Sequence, residues 1–182
     1  MAKFEELGSA TETSTAGITQ MTPDTEGTVI DGDSWDGLVY AVPWPSNSYI
    51  ILEHRTKRAI TLRNGQLYLQ DIREDPGANN RWQCVEKQGY FGFCNLKSFV
   101  YIGHNGSENR AVATAKAHEN WEQITPRQHP KGGYQLLFPY YQHTLRMLSV
   151  AEDGETLIRT NHGDARWDFV KTELPTNELR RA

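Results

Sequence analysis

A tryptophan followed three residues later by an aliphatic residue occurs three times after residue 80: "WQCV" at Trp82, "WEQI" at Trp121 and "WDFV" at Trp167. Upstream of each stands a tyrosine, Tyr49, Tyr90 and Tyr134, at separations of 33, 31 and 33 residues. Between each pair falls a turn signal: Asn64-Gly65, Asn105-Gly106 and Asp153-Gly154. Asn-Gly and Asp-Gly tolerate the positive φ values of tight hairpins and are strong short-range hairpin signals. Self-similarity at a fixed period marks a chain built from equivalent units.

Each unit reads as four short strands. The first is "YIILE", "AITLR", "QLYLQ" and "RWQCVEK". The second is "YFGFC", "SFVYIG", "RAVATA" and "WEQIT", and the third is "YQLLF", "LRMLSV", "TLIRT" and "RWDFVKT". The connections "REDPGANN", "TPRQHPKGG" and "AEDGE" are breakers by composition. The one stretch with a helical look, "ATAKAHENW", lies between strand signals, which argues against a helix. Closing an array of strands removes the exposed edges that invite aggregation. Twelve strands in three fourfold units therefore predict an all-β chain, a β-trefoil with a closed barrel and a hairpin cap.

In such a fold each Trp opens the last strand of its unit, where large rings fill the space beneath the cap. Tyr49, Tyr90, Tyr134, Trp82, Trp121 and Trp167 are thus read as core, since aromatic side chains dominate core energetics. A separation of three puts Trp82 and Val85 on opposite faces of a regular strand, and one β-bulge would bring both inward.

Charge divides the chain. Residues 1–37 carry Lys3 against eight acidic residues, a net −7, and the remainder is +3. The expected organisation is an acidic Ser/Thr/Gly-rich segment over 1–34, a domain over 35–175 and a short tail over 176–182. A body at +3 with scattered Lys and Arg lacks the concentrated basic face of a nucleic-acid binder. With no early apolar run and no membrane-length apolar stretch, the expectation is a cytoplasmic protein without a membrane partner. Cys84 and Cys94 form neither a CxxC pair nor a metal-ligand series and read as buried thiols. The six histidines show no metal spacing, and no P-loop, GxGxxG or GxSxG occurs. No metal and no cofactor are expected.

The runs "AITLRNGQLYL", "RWQCVEKQGYFGFCNLKSFVYIGHNG", "WEQITPRQHPKGGYQLL" and "RWDFVK" resemble the fascin-like β-trefoil proteins, in particular single-domain fungal members. The resemblance covers residues 48–172 and implies the trefoil fold. Fascins bundle actin with several trefoils per chain, whereas bundling by one trefoil would need two sites on it. Ricin-type lectins carry Gln-x-Trp in their repeats, and here the residues two before each Trp are Asn80, Glu119 and Ala165. That weakens a galactose-lectin reading. The basic run "HRTKR", residues 54–58, reads as a loop joining two strands, with an anion contact as the alternative.

Function is sought where the threefold pattern fails. The third unit inserts "PYYQHT", residues 139–144, where the second has only "NLK". Copy-specific insertions on a repeat framework are better functional candidates than the framework itself. Tyr140, Tyr141 and His143 are therefore candidate ligand-binding residues. Trp35 and Trp44, in the addition "SWDGLVYAVPWPSNS" before the first unit, either staple that segment to the barrel or roof a ligand site. Two functions are open. One is a non-enzymatic binding module for a protein, possibly cytoskeletal, or for a glycan. The other is a cofactor-free cyclase or isomerase acting on a small apolar metabolite, which needs only a shaped pocket and a few placed donors.

Overall fold

β1 (Ser48–Glu53) runs antiparallel between β4 (Arg81–Lys87) and β12 (Trp167–Thr172). From there the barrel is traced by register, in a computed structural model that describes residues 38–74, 77–106, 109–141 and 144–172. β4 pairs with β5 (Tyr90–Asn95), and β8 (Thr125–Gln128) pairs with β9 (Tyr134–Tyr140). The bridge Phe91–Ile124 joins β5 to the residue before β8, and Trp167–Tyr134 joins β12 to β9. The ring β1–β4–β5–β8–β9–β12 is thereby closed.

Three hairpins cap it: β2 (Ala59–Arg63) with β3 (Gln66–Gln70), β6 (Tyr101–His104) with β7 (Ala111–Ala115), and β10 (Thr144–Val150) with β11 (Leu157–Thr160). One backbone hydrogen bond ties each hairpin to a neighbouring one at equivalent places. The N–H groups of Leu69, Ala113 and Arg159 donate to the carbonyls of Glu155, Gly65 and Asn109 at 2.8, 2.9 and 2.5 Å. The fold is the expected β-trefoil, with no α-helix among the described residues. Segment 116–123 consists of turns and irregular backbone.

The turn signals divide. Asn64-Gly65, with φ of 49° and 78°, makes a two-residue hairpin between the paired Arg63 and Gln66. Positive φ at both central residues is what a type I′ two-residue hairpin demands, and Asn-Gly accepts it. Asn105-Gly106 and Asp153-Gly154 instead sit in the longer connections 105–110 and 151–156.

The core follows the threefold axis with one change from the expected register. Tyr49 pairs with Trp82, and Tyr134 with Trp167. In the second unit the pair is Phe91 with Ile124, not Tyr90 with Trp121. Ile124 is fully buried, Trp121 is 53% exposed and Tyr90 is half-buried, so the expectation that Trp121 and Tyr90 are core is corrected. The indole N–H groups of Trp82 and Trp167 donate to the carbonyls of Ile60 and Leu148, at 2.9 and 3.3 Å. Phe169 stacks on Phe93 at 5.5 Å and meets Tyr49 and Tyr134 edge-on at 5.5 and 5.6 Å.

No bulge brings Val85 inward. β4 keeps regular register with β5, so Trp82 and Cys84 face the core while Val85 is half-buried. Cys84 and Cys94 are buried and free, as expected, and burial pushes the Cys84 thiol up to about 12. Arg159 takes the place that Leu69 and Ala113 hold in the other units. It is 1% exposed and donates through Nη2 to the Gly106 carbonyl at 3.2 Å.

Candidate functional site

The "QLYLQ" run sets a polar face by simple alternation. Leu67 and Leu69 go into the core, so Gln66, Tyr68 and Gln70 go to the other side of β3. There they border a cleft of about 740 Å³, together with Arg58, Arg63, Asp71, Glu74 and Glu155. A second cleft of about 400 Å³ shares Arg58 and Leu69 with the first and reaches Arg55, Ser149, Thr160 and His162. Both lie where the first hairpin meets the third.

Turn chemistry holds these walls. Oε2 of Glu53, itself 6% exposed, accepts from the Arg55 and Thr56 N–H groups at 3.2 and 2.7 Å, and from the Thr56 hydroxyl at 2.7 Å. Arg58 donates through Nη2 to the Gly154 carbonyl, bridging the two hairpins. Asp153 shapes the facing turn. Hydrogen bonds from the Thr156 hydroxyl and from the backbone N–H groups of Glu155 and Thr156 hold its carboxyl down at about 2. The hydroxyls of Ser149 and Thr160 bond each other at 2.7 Å in the wall of the smaller cleft.

Two atoms in this region are out of balance. The amide oxygens of Gln66 and Gln70 are buried and have no hydrogen-bond partner among the described residues, and Gln70 as a whole is only 6% exposed. A buried polar atom without a partner costs about 1–3 kcal/mol.

The residues picked from sequence fall in different places. Trp35 and His143 lie outside the described residues, as do segment 1–34 and tail 176–182. Trp44 is tied down by its backbone: its N–H donates to the Tyr49 hydroxyl at 2.9 Å, and that hydroxyl donates to the Val42 carbonyl at 3.1 Å. Its ring meets Phe91 edge-on at 6.1 Å and is otherwise 64% exposed. Tyr140 and Tyr141 pack together at 4.3 Å, and the Arg146 guanidinium lies over the Tyr140 ring at 3.5 Å. No contact among the described residues joins Trp44 to this pair, and neither group borders the two clefts. The basic run 54–58 is spent on structural ties. His54 Nδ1 and Lys57 Nζ both hold Asp168, at 2.9 and 2.5 Å, leaving Arg55 in the cleft wall.

Sequence reasoning passed over Gln66, Tyr68 and Gln70, although their strict alternation with leucine was readable. It also assigned Trp121 to the core. The signal against that assignment was the odd separation of 31 from Tyr90; counting from Phe91 to Ile124 restores 33.

No protein-family profile matches the sequence, and no curated protein matches it. Solved structures do match in shape. The GlcNAcα1-4Gal-releasing endo-β-galactosidase from Clostridium perfringens aligns over 70% of this chain and 33% of its own, with a TM-score of 0.62 at 15% identity. The present chain thus spans a third of that enzyme's length. The ricin B-like lectin of Macrolepiota procera, solved with lactose, aligns over 72% of this chain and 100% of its own, with a TM-score of 0.60 at 12% identity. The Rhizoctonia solani agglutinin aligns over 72% and 99%, with a TM-score of 0.55 at 18% identity. These likenesses identify the fold of the chain as the β-trefoil shared with ricin B-like lectins.

Proposed function

We propose that the chain is a non-enzymatic glycan-binding module that takes a saccharide in the cleft bordered by Gln66, Tyr68 and Gln70. The observation that carries the reading is a polar cleft onto whose wall one face of β3 sets Gln66, Tyr68 and Gln70, beside Arg58, Arg63 and Glu155. Sugars supply many hydroxyl donors on a ring with apolar C–H faces, which suits amides and carboxylates set around Tyr68. Arg58 and Arg63 offer donors to the same ligand, and Asp71, Glu74 and Glu155 offer acceptors. The structural likeness to a lectin solved with lactose supports the reading. A cofactor-free cyclase or isomerase would want an enclosed apolar cavity, and the larger cleft is walled by polar side chains. A fascin-like ancestry and a cytoplasmic location belong to the same proposal and rest on sequence.

A glycan array tests the reading directly. Binding of a defined subset of glycans is expected, with affinity falling at least about tenfold in Tyr68→Ala while the melting temperature stays within a few degrees. A wild-type protein that binds no glycan, or one whose binding ignores both Tyr68→Ala and Gln70→Leu, would overturn it.

A further inference from the structure

Segment 116–123 lies against the outer face of β5 and β6 with few ties. Among the described residues no backbone hydrogen bond joins it to a strand; its one backbone bond is internal, from the Glu122 N–H to the Glu119 carbonyl at 3.1 Å. Lys116, Ala117, Glu119, Asn120 and Trp121 are exposed. The two side chains that it buries are both ionisable: His118, 7% exposed, and Glu122, 5% exposed. Each rests against a glycine. A Cβ on Gly92 would lie 2.8–3.0 Å from the His118 ring, and one on Gly103 would lie 2.9 Å from the Trp121 carbonyl oxygen and 3.0 Å from Glu122 Oε1. Phe91 and Phe93 turn to the core, so period-two alternation puts Gly92 and Cys94 on the side that this segment covers.

The pocket of His118 makes no provision for a charged ring. The imidazole stacks on Tyr101 of β6 at 5.6 Å with 14° between the planes. Both ring nitrogens are buried without a hydrogen-bond partner among the described residues, and the nearby Phe91 and Glu122 carbonyls do not meet them in hydrogen-bond geometry. Lys87 faces the site from β4 and Cys94 from β5, opposite Tyr101 in register. The Lys87 ammonium donates to the His118 carbonyl at 3.0 Å and to Glu119 Oε1 at 2.9 Å. Glu122 Oε2 accepts the Glu119 N–H at 3.2 Å. An imidazolium here would be a buried charge without an acceptor, which is costly. Burial, and then Lys87, lower His118 accordingly. His104 is the second imidazole in contact with the segment. It stacks under Trp121 at 5.5 Å and meets Phe138 of β9 edge-on at 5.9 Å. Burial, with Arg159 from β11 and Arg146 from β10, holds it down at about 4.

We infer that segment 116–123 is a pH-sensitive strap, closed over β5 and β6 near neutral pH and released when His118, together with His104, takes up a proton in mildly acidic surroundings. Its anchors are ionisable groups rather than apolar side chains or a backbone ladder, so protonation acts on what holds it down. Both imidazoles bind a proton less readily while the strap is closed than at their ordinary 6.5. Closure is therefore fully supported above that value and weakens as pH falls below it. Glu122 works the other way: burial raises its carboxyl above the ordinary 4.5, so its proton favours the closed strap as pH falls. Two imidazoles titrating downward from 6.5 outweigh that one carboxyl. Release uncovers Gly92, Cys94 and Tyr101 and frees Trp121 from His104, which changes the surface of the second unit alone. The strap borders neither cleft, so its release is independent of glycan binding.

The two cysteines supply the test. Cys94 lies under the strap, whereas Cys84 is fully buried in the core and reacts only when the whole fold opens. The full chain is labelled with 4,4′-dithiodipyridine between pH 7 and pH 5, with each rate divided by that of a free thiol at the same pH. Local opening is expected to raise the relative rate of Cys94 by about tenfold, roughly one pKa unit of linkage, while Cys84 stays protected. Nicking by papain within 116–123 should rise over the same window. His118→Leu should remove most of the pH dependence, and His118→Leu with His104→Asn should leave it flat, whatever the level at pH 7. His118→Phe keeps a ring on Tyr101 without a titration and checks the same slope if the leucine variant fails to fold. A flat wild-type profile, a rise that survives in the double variant, or Cys84 reacting in step with Cys94 would overturn the strap.

Discussion

Phe91 and Ile124 exchange both of their backbone hydrogen bonds, at 2.9 and 2.8 Å, and stand 33 residues apart. Tyr49 with Trp82, and Tyr134 with Trp167, are separated by the same 33 and occupy the same place in the ring. The three pairs are the closures of three units, and the middle one uses an isoleucine where the others use tryptophan.

That substitution sets the first prediction. Ile124→Ala removes a fully buried side chain and is expected to cost about 2–5 kcal/mol, read from urea denaturation. Trp121→Ala, although it deletes a larger side chain, should cost less than half as much, because that ring is 53% exposed. The reverse order would mean that Trp121 is the core residue after all.

The fold was legible because three kinds of signal agree in register: aromatic spacing, alternation within strands, and hairpin turns. The slip in the second unit has a local cause. "GYF" offers Tyr90 and Phe91 as neighbours, and "WEQI" offers Trp121 and Ile124, so hydrophobic weight alone favours the wrong partner in each. Period-two alternation decides the matter only once Phe93 is known to face inward, which puts Phe91 on the core side and Tyr90 off it. The cleft was less legible. "QLYLQ" announces a polar face on β3, but the opposing wall comes from Gly154 and Glu155, more than 80 residues away, through docking of hairpins. Trp44 belongs to a segment that is stapled to the barrel, one of the two readings its sequence offered. The Tyr49 hydroxyl fixes its backbone, so the segment is stapled without the indole being buried.

Gly92 and His118 form the next test. A Cβ on Gly92 would lie 2.8–3.0 Å from three atoms of the His118 ring, which is 7% exposed and stacks on Tyr101 at 5.6 Å. Gly92→Ala is expected to destabilise by about 1–3 kcal/mol through overpacking. In a His118→Ala background most of that cost should vanish, since the space is then open. Strictly additive losses in the double-mutant cycle would show that the glycine is needed for another reason.

His104 gives a pH dependence whose sign is fixed. Unfolded, its imidazole takes up a proton near 6.5, and folded, burial and the neighbouring Arg159 and Arg146 delay this to about 4. Between those values the unfolded chain binds more protons, so stability falls as pH drops through that window. The loss is complete below about 4, and at 1.36 kcal/mol per pKa unit amounts to roughly 3 kcal/mol at most. His118 is lowered too, by burial and then by Lys87, so wild type alone cannot isolate the effect. His104→Asn keeps an acceptor for the Gly106 N–H and removes the titration. Its melting temperature should fall less than that of wild type between pH 7 and 4.5, and parallel curves would contradict the assignment.

Asp168 tests how the cleft wall is anchored. Its carboxylate, 8% exposed, accepts from His54 Nδ1 and Lys57 Nζ, and so ties the turn after β1 to β12. Burial alone lowers the Lys57 ammonium, but the hydrogen bond and charge of Asp168 outweigh it and leave Lys57 raised. Lys57 also sits 5.1 Å over the Tyr40 ring, which extends the tie to the segment beside β12. Asp168→Asn keeps the shape and removes the charge. The expected cost is about 1–3 kcal/mol, since both partners retain some access to water. The looser turn should also be cut faster by trypsin after Arg55, Lys57 or Arg58, because local opening exposes the backbone to proteolysis. Unchanged stability together with an unchanged cleavage rate would mean that Glu53, which caps the same turn, is sufficient to hold Arg55 and Arg58 in the cleft wall.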